Sequence, residues 1–224
     1  MNLYQVLGDQ IAPVYQATAL VLIILFAGGL VVRRRLATTE AGLLPDEGFS
    51  IRNIFEILVE MMADQGRSII GEGYRAYFPL VGTIFFFILV SNLMGLFPGL
   101  GGATSYVETT TAWAIISVVI AEYVGIRTHG FGYIKHFLGP VWWLSPVFFV
   151  LEIPLHLARV LTLSVRLLAN MFADHTIVAA WLALVPFVIP AGFMGLGLVI
   201  AVLQAFVFSL LTMIYIGLAL EEAH

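Results

Sequence analysis

No cysteine occurs among the 224 residues, which excludes disulfides, thiolate nucleophiles and thiolate metal or iron–sulfur sites. Charge is scarce as well: Asp, Glu, Lys and Arg make up 11% of the chain, against about 25% in a soluble domain, while 61% of it is hydrophobic. Four runs contain none of these charged types: Val14 to Val32, Phe78 to Leu96, Phe137 to Leu151 and Thr176 to Leu220. Such runs are too long and too apolar for a water-soluble core, so a soluble enzyme is excluded and a membrane protein is expected. A net charge of −4 leaves no broad surface for neutralising phosphates, which removes nucleic acid as a partner. The chain also lacks a Gly-rich loop ending in Gly-Lys-Ser/Thr, so it is not expected to hydrolyse ATP itself. Internal repeats, low-complexity tracts and any sign of a cofactor or metal centre are missing too.

What charge there is sets the topology. Asp9, not a cationic segment, precedes the first apolar run, and Arg33, Arg34 and Arg35 follow it, the reverse of a cleavable signal peptide. The run at 14–32 is therefore read as an uncleaved first span. Basic residues mark the cytoplasmic side, which puts the amino terminus outside and residues 33 to 77, with Arg52, Arg67 and Arg75, inside. Arg127 and Lys135 follow two further spans, 78–96 and 109–126, and the intervening Phe97 to Glu108, turn-rich with Pro98, Gly99, Gly101 and Gly102, carries no Lys or Arg. Eight of the ten basic residues thus fall in two cytoplasmic regions, and Arg159 and Arg166 remain at membrane depth.

Between Ser50 and Ile70, Ile51, Ile54, Phe55, Leu58, Met61 and Met62 recur at helical spacing, with Arg52, Glu56, Glu60 and Asp64 between them. This predicts an interfacial helix over 50–75, suited either to contact partner subunits or to cover the bilayer boundary. The 45 residues before Glu221 are too long for one perpendicular crossing, since about 20 helical residues span a bilayer core, and a long hairpin over 142–220 is expected. Pro186 and Pro190, with Gly192, Gly195 and Gly197, supply a break. The expected shape is a tilted hairpin, one helix from Trp142 to Met171 and another from Phe193 to Leu220. The fold class is thus an all-α membrane protein, a single integral membrane domain over 1–224 with about five to six membrane helices, counting the interfacial helix and the carboxy-terminal hairpin.

The chemistry concentrates between Leu151 and His175. Glu152, His156, Arg159, Arg166, Asn170 and Asp174 interrupt an otherwise apolar helix and fall within a stripe about 80° wide at 100° per residue. Ionisable groups at this depth are expensive and normally face water, a partner charge or a transport path. A purely structural reading pairs Glu152 with His156 and Arg159, and Asp174 with Arg166 across a long gap. Arg166, however, has no ionisable residue three or four positions away, which points to a partner on another chain. Its pKa lies above about 12, so it acts as a fixed cation that attracts carboxylates and blocks protons. Glu152 and His156 toward the cytoplasmic end, and Asp174 and His175 toward the other, can handle protons. On the last helix Gln204 and Tyr215 share a face, which suits either the same cavity or a helix-to-helix hydrogen bond.

At this point the chain resembles a known family, subunit a of the F-type rotary ATP synthase. Ser91-Asn92-Leu93-Met94-Gly95-Leu96-Phe97-Pro98, the run Leu163 to Ala173 around Arg166 and Asn170, and Leu203-Gln204-Ala205-Phe206-Val207-Phe208 through Thr212, Tyr215 and Glu221-Glu222 carry the likeness, over roughly residues 15 to 224. The resemblance implies a non-catalytic stator subunit in a bacterial inner membrane, with its carboxy terminus cytoplasmic. It would press against a ring of c subunits, each bearing one carboxylate, and meet peripheral-stalk b subunits, for which residues 36 to 75 are the exposed candidate. Two offset half-channels would feed and drain the ring, with protons as the coupling ion. By position Arg166 matches the family's essential arginine. Glu152 and Arg159 match residues near the cytoplasmic half-channel, Asn170 and Gln204 residues around the arginine, and His175 an external half-channel position. Two departures stand out: Asp174 occupies a place usually small, and Gly197 a place usually His or acid. Asp174 is expected to substitute for the missing partner at 197.

Two other classes were weighed. A stand-alone secondary transporter would use Glu152, His156 and Asp174 as its coupling site, but such folds usually carry internal repeats. A haem carrier would need His156 and His175 as axial ligands, yet they lie roughly 28 Å apart along a continuous helix.

Overall fold

The computed structural model describes residues 12–37, 51–97, 100–130, 145–184 and 188–221. Lys135, Trp142, Pro186, Pro98 and Gly99 lie outside them, and so does the side chain of Glu152, whose backbone is helical. Among the described residues there are six α-helices: α1 Pro13–Ala37, α2 Ile51–Ile70, α3 Tyr74–Gly95, α4 Val107–His129, α5 Ser145–Leu184 and α6 Val188–Glu221. Five stretches are long and apolar enough to cross a membrane, α2 and α3 counting together as one. The class is all-helical, as the hydropathy pattern requires.

α1, α3 and α4 each continue past their apolar run by about a turn at one end, because a backbone leaving hydrocarbon keeps its hydrogen bonds until a residue ends the ladder. Gly130 does this for α4: at φ 56° and ψ −133° it adopts a backbone conformation open to glycine, and its N–H donates to the Ile126 carbonyl at 2.8 Å. Pro13 opens α1, where its missing N–H is not needed. The carboxy-terminal hairpin differs from the sequence expectation in its lengths. The first arm does not stop at Met171 but runs to Leu184 as a 40-residue helix, and the second starts at Val188, not Phe193. Pro190 sits in the first turn of α6, where proline costs no hydrogen bond, and the glycines that follow are carried inside the helix. At 1.5 Å per residue these arms are roughly 60 and 51 Å long, well beyond a hydrocarbon core of about 30 Å, so they tilt or protrude.

The core lies where α3, α4, α5 and α6 meet, filled by Phe85, Phe87, Ile88, Leu163, Leu167, Phe208, Met213 and Ile216. Phe87 and Trp113 tie α3 to α4, their ring centroids 4.8 Å apart. The amphipathic α2 packs its apolar side on the chain's own α3 and α6, burying Met62 and stacking Phe55 on Phe86 at 5.0 Å. That neighbour was not among the two weighed from sequence; Ile54 and Ile57 stay exposed for others. α1 lies at the edge, inserting only Ala17 and Val21 among its buried residues.

The connection from α3 to α4 folds inward. Thr104 donates its N–H to Ser91 Oγ at 2.8 Å and its hydroxyl to Asn92 Oδ1 at 2.7 Å, while Asn92 Nδ2 reaches the Ala201 carbonyl on α6 at 3.4 Å. All three side chains are buried, so the Ser91-Asn92 pair satisfies Thr104 and pins it against α3, while Asn92 ties α3 to α6.

Candidate functional site

α5 and α6 pack side by side, and their facing polar residues meet at mid-length. Asn170 Nδ2 donates to Gln204 Oε1 at 2.6 Å, and Gln204 is 6% exposed. The Gln204 Nε2 group finds no acceptor among the described residues, a buried donor held in reserve beside Asn170. One turn before Asn170, Arg166 is exposed on the outer side of α5, and no carboxylate among the described residues pairs with it. In particular Asp174, two turns along, does not. The surface around Arg166 is apolar, with Leu161, Val165 and Phe172 of α5 and Leu196, Val199 and Leu203 of α6 all at least half exposed.

Toward the carboxy-terminal end of α5, Asp174 and His175 line a cavity of about 320 Å³ together with Gly95, Leu96, Ser105 and Tyr106. His175 Nε2 donates to the Gly95 carbonyl at 2.7 Å, which anchors the imidazole at the end of α3. Burial first, and the Glu108 carboxylate second, push the Tyr106 phenol up, so it borders the cavity as a neutral hydroxyl. A Cβ placed on Gly197 would stand 3.6 Å from Asp174 Oδ2 and 2.7 Å from Leu96 Cδ2. Asp174 therefore lies over the bare backbone of residue 197, where a side chain would have to displace Leu96. A second cavity of about 310 Å³ shares Ser105 and His175 with the first and continues along Val165, Leu168 and Ala169, the immediate surroundings of Arg166.

On the other side of Arg166, Arg159 lies over the Tyr215 ring at 5.4 Å from its centroid, a cation–π contact between α5 and α6. His156 Nε2 sits 2.6 Å from Glu122 Oε1 on α4. The nine residues singled out from sequence thus fall on α5 and α6, and the structure brings together Asn170 with Gln204, Arg159 with Tyr215, and Asp174 with His175 around one cavity. Glu122 was missed. Its signal was present, a carboxylate inside the otherwise apolar run 109–126, but it lay outside the stripe that drew attention. His156 and His175 stand on one uninterrupted helix, which rules out a shared haem between them.

The sequence matches the family described as ATP synthase A chain over residues 15–217. It is 41% identical over 213 residues to ATP synthase subunit a of Trichlorobacter lovleyi, covering 95% of this chain and 88% of the relative. It is 42% identical over 207 residues to ATP synthase subunit a 2 of Syntrophotalea carbinolica, covering 92% and 85%. Against ATP synthase subunit a 1 of Pelobacter propionicus it is 44% identical over 189 residues, covering 84% and 81%.

Proposed function

From the premise that this chain belongs to the ATP synthase A chain family, matched over residues 15–217, we propose that it conducts protons to and from a rotating c-subunit ring, with Arg166 as the fixed cation between two half-channels. Membership makes it a proton-translocating membrane subunit of the ATP synthase complex. One observation supports the finer reading: along α5, titratable side chains lie on both sides of a single exposed guanidinium set in an apolar surface.

In this reading the cavity at Asp174 and His175, continued past Ser105 to Ala169, is the external path. Protons pass along it to a ring carboxylate arriving at Arg166. A protonated carboxyl is neutral and moves off into lipid, whereas an ionised one is held by the guanidinium, so the ring sheds its proton before it reaches Arg166 from the other direction. Arg166 cannot itself relay a proton, which keeps the two paths apart. Asn170 and Gln204, locked to each other, position the cation's surroundings. Glu152, His156, Arg159 and Tyr215 border the cytoplasmic path. The exposed leucines, valines and phenylalanine around Arg166 form the sliding surface for the ring, and residues 36 to 75 offer the cytoplasmic face for the peripheral-stalk b subunits. The subunit makes no ATP; it turns ion flow into rotation. The amino terminus lies outside and the carboxy terminus in the cytoplasm of a bacterial inner membrane.

The test is ATP-driven proton pumping in inverted membrane vesicles carrying Arg166→Gln, with assembly checked by co-purification. Pumping is expected to vanish in an intact complex. Normal pumping by an assembled variant would assign the polar stripe to helix packing instead.

A further inference from the structure

The contact between Glu122 and His156 is not absorbed by the reading above. It joins α4 to α5 at 2.6 Å, and the two side chains are 20% and 21% exposed, largely sunk into the protein but not sealed in it. His156 precedes Arg166 by ten residues on α5, roughly 15 Å along the helix, on the side assigned to the cytoplasmic path. We propose that Glu122 and His156 form a proton-accepting pair of that path, Glu122 being a functional residue in its own right. The inference rests on the half-channel reading and deepens it.

Two arguments favour a relay over a bolt between helices. First, neutral hydroxyl pairs already bolt α4 in place: Thr110 and Thr111 to Ser164 on α5 at 3.2 and 3.0 Å, and Ser117 to Thr212 on α6 at 2.6 Å. A carboxylate and an imidazole add little to such cross-links, because withdrawing ionisable groups from water costs about as much as their pairing returns. Second, the pair suits transient uptake of one proton. Neutral imidazole beside carboxylate takes a proton to become imidazolium beside carboxylate, and returns to the first state when the proton leaves for the cytoplasm. The same 2.6 Å contact serves both forms, because the ring nitrogen can donate to the carboxylate before and after the proton arrives. Of the other titratable residues near it in sequence or on α6, α4 carries Tyr123, Arg127 and His129, α5 Glu152 and Arg159, and α6 Tyr215 and Glu221. Arg159 is turned onto Tyr215, and His129 donates to the Ala219 carbonyl at 3.1 Å.

The experiment uses the assembled complex in inverted vesicles and compares Glu122→Gln, Glu122→Asp and His156→Gln with Arg166→Gln. Each glutamine keeps a hydrogen-bonding amide at the same reach, so a bolt survives and only proton acceptance is lost. The relay predicts that Glu122→Gln and His156→Gln each slow ATP-driven pumping about tenfold or more with the chain still in the complex, and that Glu122→Asp recovers most of it. Should one glutamine variant fail to assemble, the other is decisive. Pumping within twofold of the unaltered complex in either assembled glutamine variant, with Arg166→Gln inactive, overturns the inference and leaves the half-channel reading standing. Normal pumping by Arg166→Gln would instead remove the reading on which it rests.

Discussion

Arg166 and Asp174 share a helix face yet do not touch, and that separation gives each its own work. An arginine joined to an internal carboxylate would be neutralised and could not hold a carboxylate brought from outside. Asp174 is instead committed to the cavity, placed over Gly197 where a longer side chain is missing. Asp174→Asn preserves size and hydrogen bonding while removing the exchangeable proton, and is expected to lower proton-driven ATP synthesis about tenfold or more. Synthesis at the unaltered rate in membranes with a normal content of the complex would show that Asp174 does not stand in for position 197. The site was legible in sequence as far as periodicity carries: Arg166, Asn170 and Asp174 could be set on one face by counting. Contacts across helices were not, because helical spacing says nothing about which residue of a neighbouring helix lies opposite. That is why Gln204 could be matched to Asn170 only as one of two options, and why Glu122 escaped notice beside His156.

Among the elements, the inward-folded connection between α3 and α4 depends on a close backbone approach. A Cβ on Gly102 would collide with the Ser91 carbonyl oxygen and stand 3.1 Å from its carbon, and neither is a flexible side-chain end that can move away. Gly102→Ala is therefore expected to destabilise the subunit by about 1–3 kcal/mol, seen as a lower thermal midpoint of the purified complex and less chain retained in membranes. Gly95 is a contrast: there an added Cβ meets the end of the Met171 side chain, which can swing aside, so Gly95→Ala should be milder. An unchanged midpoint for Gly102→Ala would mean that the connection can shift without loss. The spans α1, α3 and α4 could be read from hydropathy because each lies on an apolar run of about the length a bilayer demands. Their ends could not. Pro190 and the glycines after it read as a break, but a proline in a first turn and glycines within hydrocarbon leave the backbone ladder intact, so α6 begins earlier than the pattern suggested and α5 runs on past Met171.

For the molecule as a whole, the decisive property is that a charged residue faces outward from a helix in an apolar surface. Such an exposed guanidinium is tolerable in a membrane only if something polar meets it, and in the proposed function that partner is a ring carboxylate. In the proposed function Arg166 is then a separator as well as an anchor. Membrane vesicles stripped of the peripheral, ATP-hydrolysing sector offer the most direct test: passive proton conductance under an imposed potassium diffusion potential, compared between the unaltered subunit and Arg166→Gln. With the cation gone the two paths are no longer held apart, so conductance is predicted to equal or exceed that of the unaltered membranes even though ATP-driven pumping is lost. Conductance falling to the level of membranes that lack the subunit would contradict the separating role, leaving Arg166 as a part of the path itself.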